Sequence, residues 1–231
     1  MATALDLQEQ EQLDDLKAFW AKWGNAVTWT VTLALLAFAA FNGWNWYQRD
    51  QGLKASAMAD ALDKAAAAGD AERVGQVFAD LKERYPRTAY AAQGGLLAAK
   101  LQYGKGQADA AKASLTWVAE QASETEVQTI ARLRLAGVLL DAKQYDEALK
   151  LLDAAKAPTF AALVADRRGD VLLAQGKTDA AKAAYQAAYA AMDEKVDYRR
   201  LLDAKLTALA AAPAAAVAAS AADASTSGAS K

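Results

Sequence analysis

The sequence contains neither histidine nor cysteine. The lack of histidine excludes a Ser-His-Asp triad, a Cys-His pair, a histidine zinc site and histidine acid–base chemistry. Without cysteine the chain forms no disulfide, which fits an oxidising compartment and the cytosol equally well. The net charge of −2 provides no basic field for nucleic acid. Carboxylate or lysine chemistry stays open, but no convergent polar cluster supports it. The sequence therefore predicts a protein that is not an enzyme and uses no cofactor or metal.

Charge is also missing from one long apolar run near the N-terminus. Residues 23–48 contain no Asp, Glu, Lys or Arg, and about 20 helical residues cross the ~30 Å hydrocarbon core of a bilayer. Trp20 and Trp23 lie at one end of the run and Trp44 and Trp46 at the other, as in the aromatic belts of membrane interfaces. The run predicts one transmembrane helix, with a buried core helix as the alternative.

The segment before this run, residues 1–22, is acidic and polar. It holds five carboxylates against two lysines, whereas a cleaved signal peptide begins with a positive region and has an apolar core of roughly 7–15 residues. We therefore expect a retained anchor, preceded by a short amphipathic helix. Two Lys or Arg residues before the span and three after it do not select an orientation.

Residues 49–210 repeat a helical pattern with a period of about 34 residues. Only two prolines occur between residues 53 and 209, and no stretch alternates like a strand. Four turn positions are each followed by a small or apolar residue five positions later and a larger residue nine positions later. The turn positions are Gly69, Gly106, Lys143 and Gly176. The residues five positions later are Val74, Ala111, Ala148 and Ala181, and the residues nine positions later are Phe78, Leu115, Leu152 and Tyr185.

This pattern predicts an all-α fold, a tetratricopeptide-like α-solenoid of about four helical hairpins. Residues 197–209 are expected to form a C-terminal capping helix, because the open end of a solenoid must be shielded. Unrelated antiparallel helices are the alternative. Residues 211–231 contain mainly Ala, Ser and Thr, and this composition predicts a disordered tail.

Two sets of residues are candidates for binding other proteins. The first helices of the hairpins line the concave face of a solenoid, and the positions predicted to lie there are Leu96, Lys100, Tyr103, Leu133, Asp141, Asp166 and Asp170. Such an apolar and acidic lining would suit unfolded segments or a chaperone surface, unless these are simply solvated positions. Arg167 and Arg168 are expected to form ion pairs with Asp166 and Asp170 on one helix.

The second set lies within the predicted span. Thr28 with Thr32, and Ala39 with Gly43, are spaced four residues apart. Small and hydroxyl residues at this spacing permit close helix contact in lipid. They could therefore form a docking face for other membrane subunits.

Three stretches of the chain resemble the YfgM family, the ancillary subunits of the bacterial SecYEG translocon. They are EQEQLDDLKAFWAKWGN before the span, IARLRLAGVLLDAKQYDEALKLLDAAKAPTFAALVADRRGDVLLAQGKTDAAKAAY, and the closing YRRLLDAKLTAL. The Ala/Ser-rich tail departs from the family.

The resemblance implies a single-pass type II protein of the inner membrane, with a cytoplasmic N-terminus and a periplasmic repeat domain. It further implies handover of unfolded, newly translocated proteins from SecYEG to periplasmic chaperones, among them a membrane-anchored prolyl isomerase-like chaperone. The alternative is a membrane-anchored scaffold for envelope assembly or cell division that uses the same groove.

Overall fold

The computed structural model describes residues 7–210, which are helical apart from short connections. The helices are α1 (Leu7–Ala67), α2 (Ala71–Arg84), α3 (Ala89–Gly104), α4 (Ala108–Gln121), α5 (Thr125–Asp141), α6 (Tyr145–Asp153), α7 (Ala161–Ala174) and α8 (Thr178–Ala191). A further helix, α9, covers residues 198–210, and a 3-10 turn at Pro158–Phe160 precedes α7. The predicted all-α class is confirmed. The predicted tail, residues 211–231, lies outside the described residues.

The chain divides into two units, Met1–Leu53 and Lys54–Lys231. In the first unit, α1 covers the predicted amphipathic segment from Leu7 onward and the predicted span without a break. Its large apolar side chains are exposed, with Phe38 67% and Trp46 71% accessible. The helix is long and apolar enough to cross a membrane. Within the described part of this unit, residues 7–53, no other segment covers these side chains, and a lipid bilayer would do so.

The second unit is built from helical hairpins, and the four predicted turn positions all adopt the left-handed conformation. Their φ angles are 69° at Gly69, 77° at Gly106 and Gly176, and 59° at Lys143. Each turn closes with the same two hydrogen bonds. At Lys143, for example, its N–H donates to the carbonyl of Leu140 at 2.9 Å, and the next N–H donates to Leu139 at 2.8 Å. This is the Schellman motif, which satisfies carbonyl groups left free at a helix end.

The predicted small and large positions of the repeat form the interior of the hairpins. The four residues five positions after each turn, Val74, Ala111, Ala148 and Ala181, are all fully buried. The larger residues four positions further on are no more than 3% exposed. Because positions four apart share a helix face, each second helix turns one face inward. The predicted repeat register is confirmed.

Three apolar clusters follow one another along the second unit. The first joins the end of α1 to α2 and α3, and includes Leu62 and Leu81. The second runs from α3 to α7, and Trp117 packs against both of these clusters. In the third, Leu202 of α9 packs with Tyr185 of α8. The helix α9 therefore covers the last hairpin, as predicted for a capping helix.

Candidate protein-binding groove

A groove runs along the face formed by α3, α5, α7 and α9. Its first part is a cavity of about 430 Å³ lined by Ala99, Lys100, Tyr103, Leu115, Arg134, Gly137, Val138, Asp141 and Arg167. Its second part is a cavity of about 360 Å³ lined by Ile130, Leu133, Arg134, Phe160, Leu163, Asp166, Arg167 and Tyr198. Arg134 and Arg167 line both cavities, which are therefore adjacent. We call these two cavities the groove. Most of its lining comes from the first helices of the hairpins.

The structure places five of the seven sequence-predicted residues in the groove. Lys100, Tyr103 and Asp141 line the first cavity, and Leu133 and Asp166 line the second. These positions were predicted from their place on the first helices of the hairpins.

The other two predicted residues do not line either cavity. The side chain of Leu96 packs against the central apolar cluster, and its carbonyl accepts a hydrogen bond from Arg134 at 3.4 Å. Asp170 is held by side chains of α8 and α9 instead. Both lie close to the groove without facing its open space.

A hydrogen bond joins α3 to α5 at one end of the groove. The hydroxyl of Tyr103 donates to Oδ2 of Asp141. This hydrogen bond is the main cause that raises the pKa of Tyr103 above its usual value, with lesser contributions from burial and from the charge of Asp141. The contact links the C-terminal ends of two successive first helices.

At the other end of the groove, two carboxylates share one lysine. Asp166 is only 4% exposed, and it accepts hydrogen bonds from the hydroxyl of Tyr198 and from Nζ of Lys205, both at 2.6 Å. Lys205 also donates to Asp170 at 2.7 Å, and Tyr185 donates to the same carboxylate oxygen at 2.9 Å. We call these five residues the cap network, because they connect α7 and α8 to α9.

The surroundings of the cap network change the pKa of its two tyrosines. Burial is the largest cause that raises the pKa of both Tyr185 and Tyr198, followed by their hydrogen bonds to Asp170 and Asp166. Both phenols therefore stay protonated and act as donors through the physiological pH range.

The ion pairs of α7 differ in part from the sequence prediction. Arg167 does pair within its helix, with Nη1 lying 3.5 Å from Oδ2 of Asp170. Arg168, however, pairs with Asp153 of α6, and Asp166 pairs with Lys205 of α9. Adjacent residues differ by about 100° around a helix, so Arg168 points to a different neighbour than Arg167.

Sequence reasoning missed several residues of the groove, including both of its arginines. Arg134, Arg167, Val138 and Tyr198 line it but were not predicted to do so. The available signal was helical spacing, because Arg134, Val138 and the predicted Asp141 recur at intervals of four and three residues on α5. The prediction named only some positions of each first helix and left these out.

The four residues predicted to make membrane contacts lie along one side of α1. At 100° per residue, Thr28, Thr32, Ala39 and Gly43 fall within an arc of about 60°. The hydroxyl of Thr28 donates to the carbonyl of Gly24, and that of Thr32 to the carbonyl of Thr28, each at 2.8 Å. The polar groups of this stripe are thus satisfied within the helix, as a lipid environment requires.

Comparison with known proteins identifies the family. The tetratricopeptide repeat-like domain family matches residues 17–211. A protein of Neisseria gonorrhoeae, named ancillary SecYEG translocon subunit, is 33% identical over 210 residues, which cover 89% of this chain and 99% of that protein. Proteins with the same name from Escherichia coli and Haemophilus influenzae are 31% identical over 179 residues and 27% identical over 185 residues. They cover 78% and 80% of this chain, and 86% and 90% of their own length, respectively. The chain therefore belongs to the YfgM family of ancillary SecYEG translocon subunits, with a tetratricopeptide repeat-like domain.

Proposed function

We propose that this chain is a non-catalytic accessory subunit of the SecYEG translocon that receives newly translocated proteins in its groove. The groove then passes these unfolded proteins to periplasmic chaperones, including a membrane-anchored prolyl isomerase-like chaperone. The observation that carries the proposal is the groove itself, two adjacent cavities on a repeat domain whose relatives are named for the translocon.

The proposed topology assigns a role to each part of the chain. Residues 1–22 lie in the cytoplasm, residues 23–48 cross the inner membrane once, and residues 49–210 form the periplasmic repeat domain. The exposed apolar surface of α1 supports the membrane assignment. A domain tethered beside the channel exit meets emerging chains at high effective concentration, so weak contacts suffice.

The groove has the chemistry that an extended polypeptide requires. Apolar surface from Leu133, Val138 and Leu163 lies beside polar groups in both cavities. Apolar surface gives affinity without strict sequence preference, and polar groups at the edges hydrogen-bond the backbone of the bound segment. Such a lining suits many different clients.

We also propose that the side of α1 carrying Thr28, Thr32, Ala39 and Gly43 contacts translocon subunits or the anchored chaperone. A Cβ atom at Gly43 would meet nothing within 4 Å. This surface is therefore open to a neighbouring helix, and its small residues let two backbones approach closely.

In vivo photo-crosslinking with matched pairs of positions tests the proposal. On α3, Tyr103 in the groove is compared with Tyr90, which is similarly exposed, at 38% against 40%, but absent from the lining of the groove. On α1, Ala39 is compared with Ala37, which lies about 200° away around the helix. We expect secreted chains to be captured at Tyr103 and membrane subunits at Ala39, with few adducts at the paired positions.

Two results would contradict the proposal. Equal adducts at both members of each pair would mean that neither surface is specific. Protease digestion of the repeat domain only after the inner membrane is lysed would place the groove in the cytosol, where no translocated chain can reach it.

A further inference from the structure

The two arginines of the groove lie where its cavities meet. Arg134 of α5 and Arg167 of α7 line both cavities, and Lys100 of α3 lines the first. Within residues 7–210, neither Arg134 nor Lys100 has a carboxylate within ion-pairing distance. Arg134 makes one hydrogen bond, of 3.4 Å, to the carbonyl of Leu96. A guanidinium carries five N–H donors, so most of those on Arg134 remain available.

Arg167 is held in place across the neighbouring helix. A Cβ atom at Gly137 would lie 3.8 Å from both Cζ and Nη1 of Arg167, so the guanidinium rests over the bare backbone of α5. Its ion pair with Asp170 is long, at 3.5 Å. The side chain is therefore preorganised in the groove, and its remaining donors can bind a second acceptor.

The acidic residues of the same face accept hydrogen bonds from other side chains of this protein. Asp141 accepts from Tyr103, while Asp166 and Asp170 accept from the tyrosines and the lysine of the cap network. These carboxylates therefore already accept hydrogen bonds within the protein, whereas most donors of Arg134 have no partner within residues 7–210. Three cations, Lys100, Arg134 and Arg167, line the two cavities against two carboxylates, Asp141 and Asp166, so the lining carries a net charge of +1 although the whole chain carries −2.

We infer that the groove prefers extended polypeptide segments that carry Asp or Glu side chains, with Arg134 and Arg167 binding the carboxylates. The planar fork of an arginine matches a carboxylate with two parallel hydrogen bonds. Val138 and Leu163 lie in the same cavities, so an apolar side chain next to the acidic one is covered too. This inference rests on the proposed function and specifies which clients the groove favours.

The test measures binding of short peptides to the full-length protein in detergent micelles by fluorescence anisotropy. Three peptides share one sequence with apolar residues at alternate positions, and carry Glu, Gln or Lys at the others. Both ends are blocked by acetylation and amidation, so side chains are the only source of charge. We expect the Glu peptide to bind about tenfold more tightly than the Gln peptide, since charge-assisted hydrogen bonds are roughly twice as strong as neutral ones. The difference should shrink as salt is raised.

Substitutions locate the preference within the groove. Arg134→Gln should remove most of the difference between the Glu and Gln peptides, and Arg134→Glu should make the Lys peptide the tightest binder. Lys150→Gln is the matched control. Lys150 is an exposed cation of α6, and it lines a different cavity, which lies on the opposite face of α5 from the groove. Thermal unfolding confirms that each variant remains folded.

The outcomes separate the two proposals. Equal binding of all three peptides would overturn the acidic preference and leave a groove that binds polypeptides. A preference that survives in Arg134→Glu, or that appears only when the peptide has a free C-terminal carboxylate, would also overturn it. Failure of every peptide to bind would overturn the preference and the proposed function together.

Discussion

Gly169 of α7 lies directly against the ring of Tyr185 of α8 in the last hairpin. A Cβ atom there would lie 2.4 Å from Cε1 and 2.5 Å from Cδ1 of Tyr185. The ring has little room to move, because Tyr185 is 1% exposed and its hydroxyl is bonded to Asp170. The preceding hairpin uses Ala136 and the smaller Leu152 at the corresponding positions. In the last hairpin, the large ring of Tyr185 on the second helix fits because position 169 on the first helix is glycine.

We predict that Gly169→Ala lowers the free energy of unfolding by about 1–3 kcal/mol, the usual cost of overpacking a buried site. Urea unfolding of the full chain in detergent, followed by circular dichroism, measures the change. Gly137→Ala is the control, because its Cβ would make only an ordinary 3.8 Å contact with Arg167. Alanine is also the better helix former, by roughly 0.5–1 kcal/mol. Equal stability changes in the two variants would contradict the packing argument.

At the scale of helices, the turns show why a repeat without glycine at its turn still folds. Lys143 is the non-glycine residue with positive φ within residues 7–210. The hairpin of α5 and α6 forms the same Schellman hydrogen bonds as the other three. Leu139 of α5 and Leu152 of α6 are buried in the same apolar cluster, and their packing offsets the steric cost of the left-handed conformation at Lys143.

We predict that Lys143→Gly raises the free energy of unfolding by roughly 0.5–1 kcal/mol. The left-handed conformation costs a non-glycine residue about 1–2 kcal/mol, and the extra flexibility of glycine in the unfolded chain offsets part of the gain. Gly176→Lys, at the corresponding turn, should lower the stability by a similar amount. The shift of the urea midpoint measures both. A midpoint lowered by Lys143→Gly would show that the lysine side chain itself stabilises the turn.

The helices and their register could be predicted because both depend on local sequence. A left-handed turn residue, a small residue five positions later and a large one nine positions later lie within one hairpin. The contacts of the groove join residues far apart in the chain, such as Tyr103 with Asp141 and Asp166 with Lys205. These pairings depend on how successive hairpins are rotated, which the repeat pattern does not specify. For the same reason the place of Arg134 and Arg167 between the two cavities was not predicted.

For the repeat domain as a whole, the cap network closes one end of the solenoid. In a solenoid each repeat contacts only its neighbours, so an end that loses its cap frays without unfolding the other repeats. Here α9 is held by Leu202 and Leu209 in the third apolar cluster and by Lys205 between two carboxylates. Because Asp166 also lines the groove, the network connects the cap to the surface proposed to bind clients.

We therefore predict that Lys205→Met loosens α7, α8 and α9 selectively. The substitution leaves the buried Asp166 without its cation, and breaking a buried ion pair costs about 3–5 kcal/mol. Hydrogen exchange should accelerate in α7 to α9 and stay unchanged in α3 and α4, whose contacts do not involve the cap. Lys182→Met, which removes an exposed lysine of α8, is the control and should change neither region.

The double variant Asp166→Asn with Lys205→Met tests whether the unpaired charge of Asp166 causes the loss of stability in Lys205→Met. If the unpaired carboxylate produces the loss, neutralising it should restore part of the stability, and the two substitutions will be strongly non-additive. Additive losses would instead mean that Lys205 acts through the packing of its aliphatic stem. In that case α9 would be held mainly by its apolar face. In the exchange experiment, uniform acceleration across α3 to α9 would contradict selective loosening and would show that the repeats unfold as one cooperative unit.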